Sequence, residues 1–429
     1  MSEKKVWRYG DRGPQAELIQ LALQRAELLP EDPDGIYGKR TENAVRAFQK
    51  RSGLETDGIV GRKTWKKLEP YLLGYEKVTV QRGDTFYRLA MRYGTTVRAI
   101  ELANPGVDPL NLSIGSELIL PGSFPVVSGK ISCTSLAISY FAEGIMARYP
   151  FLRKSIIGSS VMENPLICFQ IGTGKNRVFF NGTHHANEWI VTPVLLKFLE
   201  ECAYALGFRK ALYGKHAEKI FSETTLTLVP MVNPDGADLV TGELTEGMFY
   251  SRAKSFSARY PDIPFPDGWK ANLSGVDLNL QYPAGWEKAR EIKFAQGYTS
   301  PAPRDYVGSM PLTAPESRAV YDLSEKENFD LTVSYHTQGE IIYWKYADYL
   351  PPRSEEIGQI FSRESGYVLE LTPSASGYAG YKDWFISQYN RPGYTVEAGL
   401  GTSPLPVRDF DSIYAKNVGL LLAALTVTA

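Results

Sequence analysis

The sequence is poor in histidine, which limits where an imidazole-based site can form. Only four of its 429 residues are histidine, and two of them, His184 and His185, are adjacent in the segment FNGTHHANEWI. This segment follows an apolar run that predicts a β-strand and precedes an acidic helix start. Half of the imidazoles of the chain therefore stand at one strand end, where a functional site is expected.

The sequence also has few cysteines and a net charge close to zero. The three cysteines, Cys133, Cys168 and Cys202, show no CxxC or paired spacing, which argues against a disulfide framework or a thiolate zinc site. We expect buried free thiols instead. The balance of 47 basic against 48 acidic residues gives a net charge of -1, which argues against a nucleic-acid partner or a polybasic membrane surface.

Long hydrophobic runs are missing as well. No apolar run reaches the roughly 18 residues that a membrane helix needs, and the start MSEKKVWRYGDRG lacks the hydrophobic core of a signal peptide. We therefore expect no membrane partner and synthesis without a signal peptide.

The length predicts about two to four domains, and the pattern divides into segments 1–74, 75–123 and 124–429. The first segment contains a sequence motif that occurs twice, as DGIYGKRT at 34–41 and as DGIVGRKT at 57–64. Each copy is here called an echo. Asp-Gly favours a turn, and Thr before an apolar-periodic stretch is typical of a helix N-cap, so each echo predicts a turn that opens a helix. Helical periodicity before and between the echoes then predicts a small three-helix unit.

Residues 7–73 resemble the peptidoglycan-binding domain type 1 family. Besides the two echoes, Ala44-Val45, Phe48-Gln49 and Thr64-Trp65 fall in the order of that family. The resemblance implies a small all-α domain that binds the bacterial cell wall. Periodicity alone would equally suit a helical bundle that packs only for stability.

The second segment predicts a strand, two short helices and a strand. Alternating runs at 78–80 and 117–120 flank two helical patterns that are separated by Tyr93-Gly94. This βααβ pattern resembles LysM, with Gly83-Asp84-Thr85 and Asn104-Pro105 in matching places. The resemblance implies binding to N-acetylglucosamine-containing glycan strands.

The third segment alternates apolar β-type runs with helical patterns, which predicts an α/β domain with a mixed sheet and helices on both faces. In such sheets ligands bind beyond the carboxyl ends of the strands. His185 and Glu188 follow the run RVFFN, and His336 follows the run LTVSY. Two imidazoles and a carboxylate are the ligand set of a catalytic zinc with an open position for water. A pairing of His184 with Glu188 remains an alternative on spacing alone.

This segment resembles the carboxypeptidase A-like zinc metallocarboxypeptidases. The match rests on the segments HANEWI at 185–190, NPDG at 233–236, GVDLN at 275–279, His336-Thr337 and YTVEAG at 394–399. The resemblance implies one Zn²⁺ per chain, held by His185, Glu188 and His336. Glu397 then has the position of the catalytic glutamate, which takes a proton from the zinc-bound water and passes it to the leaving amine.

A mobile tyrosine of the family falls in the segment SGYAGYKDWF. The spacing leaves Tyr378 and Tyr381 open, and we favour Tyr378 as the catalytic tyrosine.

Two departures from the family pattern concern arginines in the segment WKANLSGVDLNLQYP, which also holds the expected substrate-binding residue Asn279. Ser274 replaces the arginine that is expected to help stabilise the oxyanion, and Arg252 is a candidate substitute. Leu280 replaces the arginine that grips the terminal carboxylate of a substrate. Because leucine cannot bind a carboxylate, an obligate need for a free C-terminus is not expected.

Two wall-binding modules joined to such a peptidase are similar to bacterial peptidases that split the bond between γ-D-glutamate and meso-diaminopimelate in peptidoglycan stem peptides. We therefore expect a zinc-dependent endopeptidase with stem peptides and wall glycans as partners. Because no signal peptide is expected, the resemblance implies a cytoplasmic location or association with the spore or cell wall. Such an enzyme would act in sporulation, in muropeptide recycling or after lysis. The alternatives are another wall peptidase or amidase on the same scaffold, and a non-catalytic glycan-binding protein.

Overall fold

The computed structural model describes residues 6–374 and 376–427. The chain forms two compact units. The first contains the residues up to Ser132 with Leu136–Arg153 and Glu200–Lys210, and the second contains Cys133–Ser135, Lys154–Leu199 and the chain from Ala211 onward. Among the described residues, no helix combines the length and the hydropathy of a membrane span. The segment boundaries after residues 74 and 123 remain predictions.

The first unit begins with a three-helix module. Its helices are α1 (Pro14–Arg25), α2 (Lys39–Arg51) and α3 (Arg62–Leu73). The two echoes are the turns that lead into α2 and α3, and each is held by a buried glutamine. Gln20 binds the turn before α2 through Asp34, with Nε2 2.7 Å from Oδ1 of that residue. Gln49 binds the turn before α3 through Asp57 in the same way, also at 2.7 Å.

The echo threonines do not cap the helices, so that part of the prediction is wrong. The helices begin at Lys39 and Arg62, directly after Gly38 and Gly61, and neither helix has a side-chain cap. Thr41 and Thr64 lie buried inside the first turns. Their hydroxyls accept hydrogen bonds from Nε2 of Gln20 and Gln49, at 3.0 and 3.2 Å. Each threonine thus serves as an acceptor for its buried glutamine.

The predicted βααβ pattern is confirmed. It comprises β1 (Tyr75–Thr79), α4 (Phe86–Tyr93), α5 (Val97–Ala103) and β2 (Glu117–Pro121). The two strands pair antiparallel, with Tyr75 opposite Pro121. The hydroxyls of Thr85 and Thr96 cap α4 and α5, because they accept hydrogen bonds from the backbone N–H groups of Arg88 and Ala99. Helix α6 (Ser135–Arg148) follows the module.

The second unit is built on an eight-stranded mixed sheet, as expected for the α/β segment. Its strands are β3 (Arg153–Ser159), β4 (Pro165–Ile171), β5 (Asn176–Gly182), β8 (Thr224–Val229), β9 (Leu331–His336), β10 (Ile341–Tyr343), β11 (Val368–Glu370) and β12 (Gly393–Glu397). A separate two-stranded ribbon joins β6 (Ala211–Leu212) and β7 (Lys215–His216). The sheet order is β11-β10-β12-β9-β5-β8-β4-β3.

The helices that accompany this sheet follow the predicted alternation. They are α7 (Val191–Gly207), α8 (Ala217–Glu223), α9 (Pro234–Thr241), α10 (Gly247–Ser257), α11 (Trp286–Ala295), α12 (Pro315–Glu327), α13 (Ser354–Ser365), α14 (Tyr381–Tyr389) and α15 (Phe410–Ala424). Short 3₁₀ turns occupy Ala186–Glu188, Leu278–Leu280 and Val407–Asp409. The cysteines are free and buried, as expected.

The centre of the sheet is parallel and fully buried. Strands β12, β9, β5 and β8 run parallel to one another, whereas β10 pairs antiparallel with β12 and β4 pairs antiparallel with β8. Val178, Phe179 and Phe180 in β5 are inaccessible to solvent, which agrees with the continuous apolar runs that buried parallel strands require. The ring of Phe179 stacks on that of Phe329, with centroids 4.6 Å apart. This rigid centre fixes the positions of the strand ends.

We expect Gln49→Leu to lower the free energy of unfolding of the first unit by about 1–3 kcal/mol, because the buried Gly58 N–H loses its acceptor and the exposed Asp57 carboxylate loses a donor. Gln20→Leu should have an effect of similar size. Denaturant unfolding of the full chain measures both. Gln81→Leu changes an exposed glutamine and is the matched control, and an equally small effect in all three variants would contradict the anchoring role.

Candidate metal centre

Three neighbouring parallel strands end at the same edge of the sheet and bring the candidate residues together. Glu397 at the end of β12 pairs with His336 at the end of β9. In the next pair, Gly182 at the end of β5 lies opposite Tyr335. His185 follows β5 by a few residues and lies at the start of the 3₁₀ turn that carries Glu188. The strand register thus brings candidate functional residues from distant parts of the sequence together in one location.

The side chains of His185, Glu188 and His336 converge. His185 Nδ1 lies 3.0 Å from Glu188 Oε1 and 3.2 Å from His336 Nδ1, and His336 Nδ1 lies 2.8 Å from Glu188 Oε2. Glu188 and His336 are almost fully buried. Of the described His, Cys, Asp and Glu side chains, these three form the group whose ligand atoms are close enough to hold one metal ion.

The donor set fits a zinc ion. Two imidazole nitrogens and a carboxylate are ligands that zinc prefers, and Zn–N and Zn–O distances of about 2.0–2.2 Å in a tetrahedron place neighbouring ligand atoms about 3.3–3.6 Å apart. The observed separations of 2.8–3.2 Å are a few tenths of an ångström shorter, so a small outward shift of the side chains accommodates the ion. A site with three protein ligands also leaves a position for water or substrate.

Asp277 and Lys270 surround these ligands, and sequence reasoning did not single out either residue. Asp277 Oδ1 lies 3.0 Å from His185 Nε2 and therefore orients the imidazole with Nδ1 toward Glu188 and His336. Lys270 Nζ donates to Glu188 Oε1 at 2.8 Å. Both residues lie in the quoted segment WKANLSGVDLNLQYP, which was a usable signal for each of them.

The charges of this group shift each other's protonation. Burial disfavours the imidazolium, but Glu188 and Asp277 outweigh it and raise the pKa of His185 to about 9. Burial would raise the pKa of Glu188, but Lys270 and the two imidazoles hold it well below its usual range. Burial, helped by Glu188, raises the pKa of Glu397, which favours exchange of a proton with bound groups.

His184 has a different environment from His185. It is fully buried, and its Nε2 lies 2.9 Å from the hydroxyl of Tyr282. Burial and the neighbouring imidazoles lower its pKa well below the usual value, so the ring is neutral. Its ring centroid lies 5.9 Å from that of His336. His184 therefore packs behind the candidate ligands and does not belong to the converging group.

Glu397 and Lys270 lie in a cleft that extends to two sides of them. Arg304 and Tyr343 are the other residues that line both sides. The first side, here called the recess, is also lined by His185, Asp277, Asn279, Leu280, Lys293, Asp305, Thr372, Ser376, Gly380, Lys382, Asp383 and Thr395. The second side is also lined by Asn187, Asp262, Ile263, Pro264, Gly268, Thr337, Gln338, Thr402 and Ser403.

The expected substrate-binding residues divide into two groups. Asn279 and Leu280 line the recess. Arg252 and Ser274 are absent from the residues that line either side. The guanidinium of Arg252 donates to the carbonyl of Leu273, and the backbone of Ser274 is tied to Asn272 in a tight turn. The cation that the structure places beside Glu188 is Lys270, and Arg252 does not take that place.

Neither of the two candidate tyrosines lines the cleft. Tyr378 packs against the cluster around Leu280, and its ring meets that of Tyr346 edge-on at 6.5 Å. Tyr381 is buried, and its hydroxyl shares a hydrogen bond with Ser324. The phenol that lines both sides of the cleft is Tyr343, at the end of β10. Its segment EIIYWK gave no signal beyond a short apolar run.

Comparison with known families matches all three parts of the chain. Residues 138–404 match the zinc carboxypeptidase family, residues 12–68 match a putative peptidoglycan-binding domain, and residues 78–121 match the LysM domain. The resemblances stated from the sequence are confirmed.

Individual relatives support the same family assignment. The gamma-D-glutamyl-L-diamino acid endopeptidase 1 of Lysinibacillus sphaericus is 43% identical over 66% of this chain and 69% of its own length. The uncharacterized protein YqgT of Bacillus subtilis is 39% identical over 65% of this chain and 73% of its own length. A solved structure of bovine thrombin-activatable fibrinolysis inhibitor, in complex with tick carboxypeptidase inhibitor, has a similar fold, with a TM-score of 0.51 and 18% identity over 69% of this chain and 96% of that chain.

We expect Asp277→Asn to weaken zinc binding about 10- to 100-fold, because the imidazole of His185 loses the carboxylate that orients it. Competition with a chromophoric chelator measures the affinity. Asp322→Asn changes an exposed aspartate on α12 and should bind zinc with unchanged affinity. Equal affinity in both variants would contradict the orienting role.

Proposed function

This chain belongs to the zinc carboxypeptidase family, and from that premise we propose that it is a peptidoglycan hydrolase that cleaves the bond between γ-D-glutamate and the L-centre of meso-diaminopimelate in stem peptides. The single observation that carries the proposal is the convergence of His185, Glu188 and His336 beside Glu397, in a cleft that continues on two sides. The name of the Lysinibacillus relative supports the choice of bond.

In the proposed reaction His185, Glu188 and His336 hold the zinc ion. When bound, zinc supplies an acidified water and polarises the scissile carbonyl. Glu397 accepts a proton from the attacking water and transfers it to the leaving amine of diaminopimelate. Desolvation raises the pKa of its carboxyl, and this direction suits a group that accepts a proton and then donates it.

Lys270 takes the electrostatic role for which an arginine was expected. Its ammonium is nearly buried and lines both sides of the cleft, next to Glu188 and Glu397. Burial disfavours the charged form, but Glu188 outweighs it and raises the pKa of Lys270, so the side chain remains a cation. A fixed cation beside the scissile carbonyl stabilises the negative charge that develops on its oxygen.

The proposed enzyme acts inside a chain and does not require a free C-terminus. Leu280 stands where an arginine would grip a terminal carboxylate, and it packs against Trp286, Val307 and Ala379. An apolar side chain in that environment gives a carboxylate no charge-assisted hydrogen bond. The second side of the cleft leaves room for the part of the substrate on the glutamate side of the bond.

The N-terminal modules have a supporting part in this proposal. The peptidoglycan-binding and LysM domains bind glycan strands that contain N-acetylglucosamine and hold the peptidase on the wall. Attachment makes each later encounter with a stem peptide effectively intramolecular, which raises the local substrate concentration without new contacts in the cleft.

We expect the zinc-loaded protein to release L-Ala-D-Glu from L-Ala-γ-D-Glu-meso-diaminopimelate-D-Ala, and a zinc chelator to stop the release. Glu397→Gln should lower kcat about 10²- to 10⁴-fold with zinc still bound, because it removes the proton acceptor and keeps the shape. Mass spectrometry of the products identifies the bond that is cut.

The product masses also identify the competing functions. Release of D-Ala alone would indicate a carboxypeptidase, and release of L-Ala alone would indicate a different peptidase. Binding to the wall with no cleavage by the zinc-loaded protein would indicate a glycan-binding protein. Each of these results would overturn the proposed bond specificity.

We expect the same tetrapeptide with a C-terminal carboxamide to be cleaved with nearly unchanged kcat/KM, because Leu280 does not bind the terminal carboxylate. Loss of a charge-assisted contact would instead lower kcat/KM by about 10-fold or more. Paired assays of the free acid and the amide decide this point, and a large preference for the free acid would contradict the role given to Leu280.

A further inference from the structure

The far part of the recess contains two ion pairs from different elements. Lys382 Nζ lies 2.7 Å from Asp383 Oδ1 at the start of α14, and Lys293 Nζ of α11 lies 2.6 Å from Asp305 Oδ1. All four side chains are buried or nearly so. They line the same recess as Leu280 and the candidate ligand His185.

The carboxylate of Asp383 has unused capacity to accept hydrogen bonds. Its Oδ1 atom is inaccessible to solvent and pairs with the ammonium of Lys382 at 2.7 Å. Its Oδ2 atom lies beside Gly380 and accepts no hydrogen bond from the residues that the structure describes. Lys382 also donates to the carbonyl of Lys345 at 2.8 Å and to the hydroxyl of Thr372 at 3.0 Å. Because a buried carboxylate is costly without hydrogen bonds, Asp383 is suited to accept a further donor.

The space beside Asp383 is open because the neighbouring residue is a glycine. A Cβ atom on Gly380 would lie 3.0 Å from Asp383 Oδ2 and 3.6 Å from Asn279 Oδ1. Gly380 lines the recess and has a φ of -77°, which any residue can adopt. Backbone conformation therefore does not require glycine here, and its visible effect is to leave the carboxylate approachable.

Lys293 supplies the complementary charge. Its ammonium pairs with Asp305, and no second ion-pair partner is found for it in residues 6–374 and 376–427. Asp305 is shared with Arg304, whose Nε also lies against it. Lys293 therefore retains donors for a ligand carboxylate, while Asp383 retains acceptors for a ligand ammonium.

We propose that this part of the recess binds the far end of the diaminopimelate side chain, a zwitterion with one ammonium and one carboxylate on the same carbon. Asp383 receives the ammonium and Lys293 receives the carboxylate, and Leu280 covers the aliphatic part of the side chain. The assignment rests on the proposed function and deepens it. A site that offers both charges selects against a lysine side chain, which carries the ammonium but leaves Lys293 without its carboxylate.

Calorimetric titration of the zinc-loaded full chain tests the assignment. The probes are the dipeptides meso-diaminopimelyl-D-alanine and L-lysyl-D-alanine, which differ only in the far carboxylate. We expect the diaminopimelyl dipeptide to bind about 10- to 100-fold more tightly, which corresponds to one hydrogen bond between charged groups. Lys293→Met should remove most of this difference.

Gly380→Ala provides a variant for the ammonium side that keeps the fold. Its added methyl group crowds Asp383 Oδ2 and should weaken both dipeptides about 10-fold or more, because both carry the ammonium. Lys288→Met changes an exposed lysine on the same helix as Lys293 and serves as the matched control with unchanged affinities.

Equal affinity for the two dipeptides, or unchanged binding in Lys293→Met and Gly380→Ala, would overturn the assignment. An equal loss of both dipeptides in Lys293→Met would also overturn it, because Lys293 would then bind the terminal carboxylate. If the diaminopimelyl dipeptide binds as expected but no γ-D-glutamyl bond is cleaved, the proposed function fails and the recess assignment stands. If cleavage occurs without discrimination, the function stands and the assignment fails.

Discussion

The register of three parallel strands is the constraint on which the candidate site depends. The pairing of Glu397 with His336, and of Tyr335 with Gly182, aligns the carboxyl ends of β12, β9 and β5. A slip of one residue in any of these strands would turn its terminal side chain to the opposite face of the sheet. The fully buried apolar strands oppose such a slip, because it would alter the packing on both faces.

Charge pairing is the second constraint, because the site collects ionic groups in a nearly dry environment. Glu188 is matched by Lys270, and Asp277 is matched by His185. Each carboxylate fixes the position of a neighbouring group and compensates its charge. Removing one partner from such a pair leaves an uncompensated charge, which costs several kcal/mol in a buried position. The charge and position of each of these groups therefore depend on its partner, and this dependence extends beyond the three candidate ligands.

The sequence predicts the architecture well, because most of its signals are local. Apolar runs predict the central strands, and short motifs at their ends predict His185, Glu188 and His336 as neighbours. Residues whose role depends on long-range contact were missed or misplaced. Lys270 lies in the quoted segment WKANLSGVDLNLQYP, but its contact with Glu188 joins positions 82 residues apart, which no local pattern reveals. Arg252, expected near the reacting carbonyl, is held by the backbone of Leu273. The roles of the metal ligands and of Glu397 stay predictions.

The two glutamine-anchored turns of the first unit form an internal structural repeat. Gln20 and Gln49 make equivalent contacts in successive halves of the module, so the two halves have the same hydrogen-bonded plan. They differ at the variable position of the echo, where Tyr37 donates its hydroxyl to the carbonyl of Gly58 in the other turn and Val60 pairs with Trp7. The two halves thus share one anchoring plan and differ at the variable position, so a substitution at that position in one turn leaves the glutamine anchor of the other turn in place.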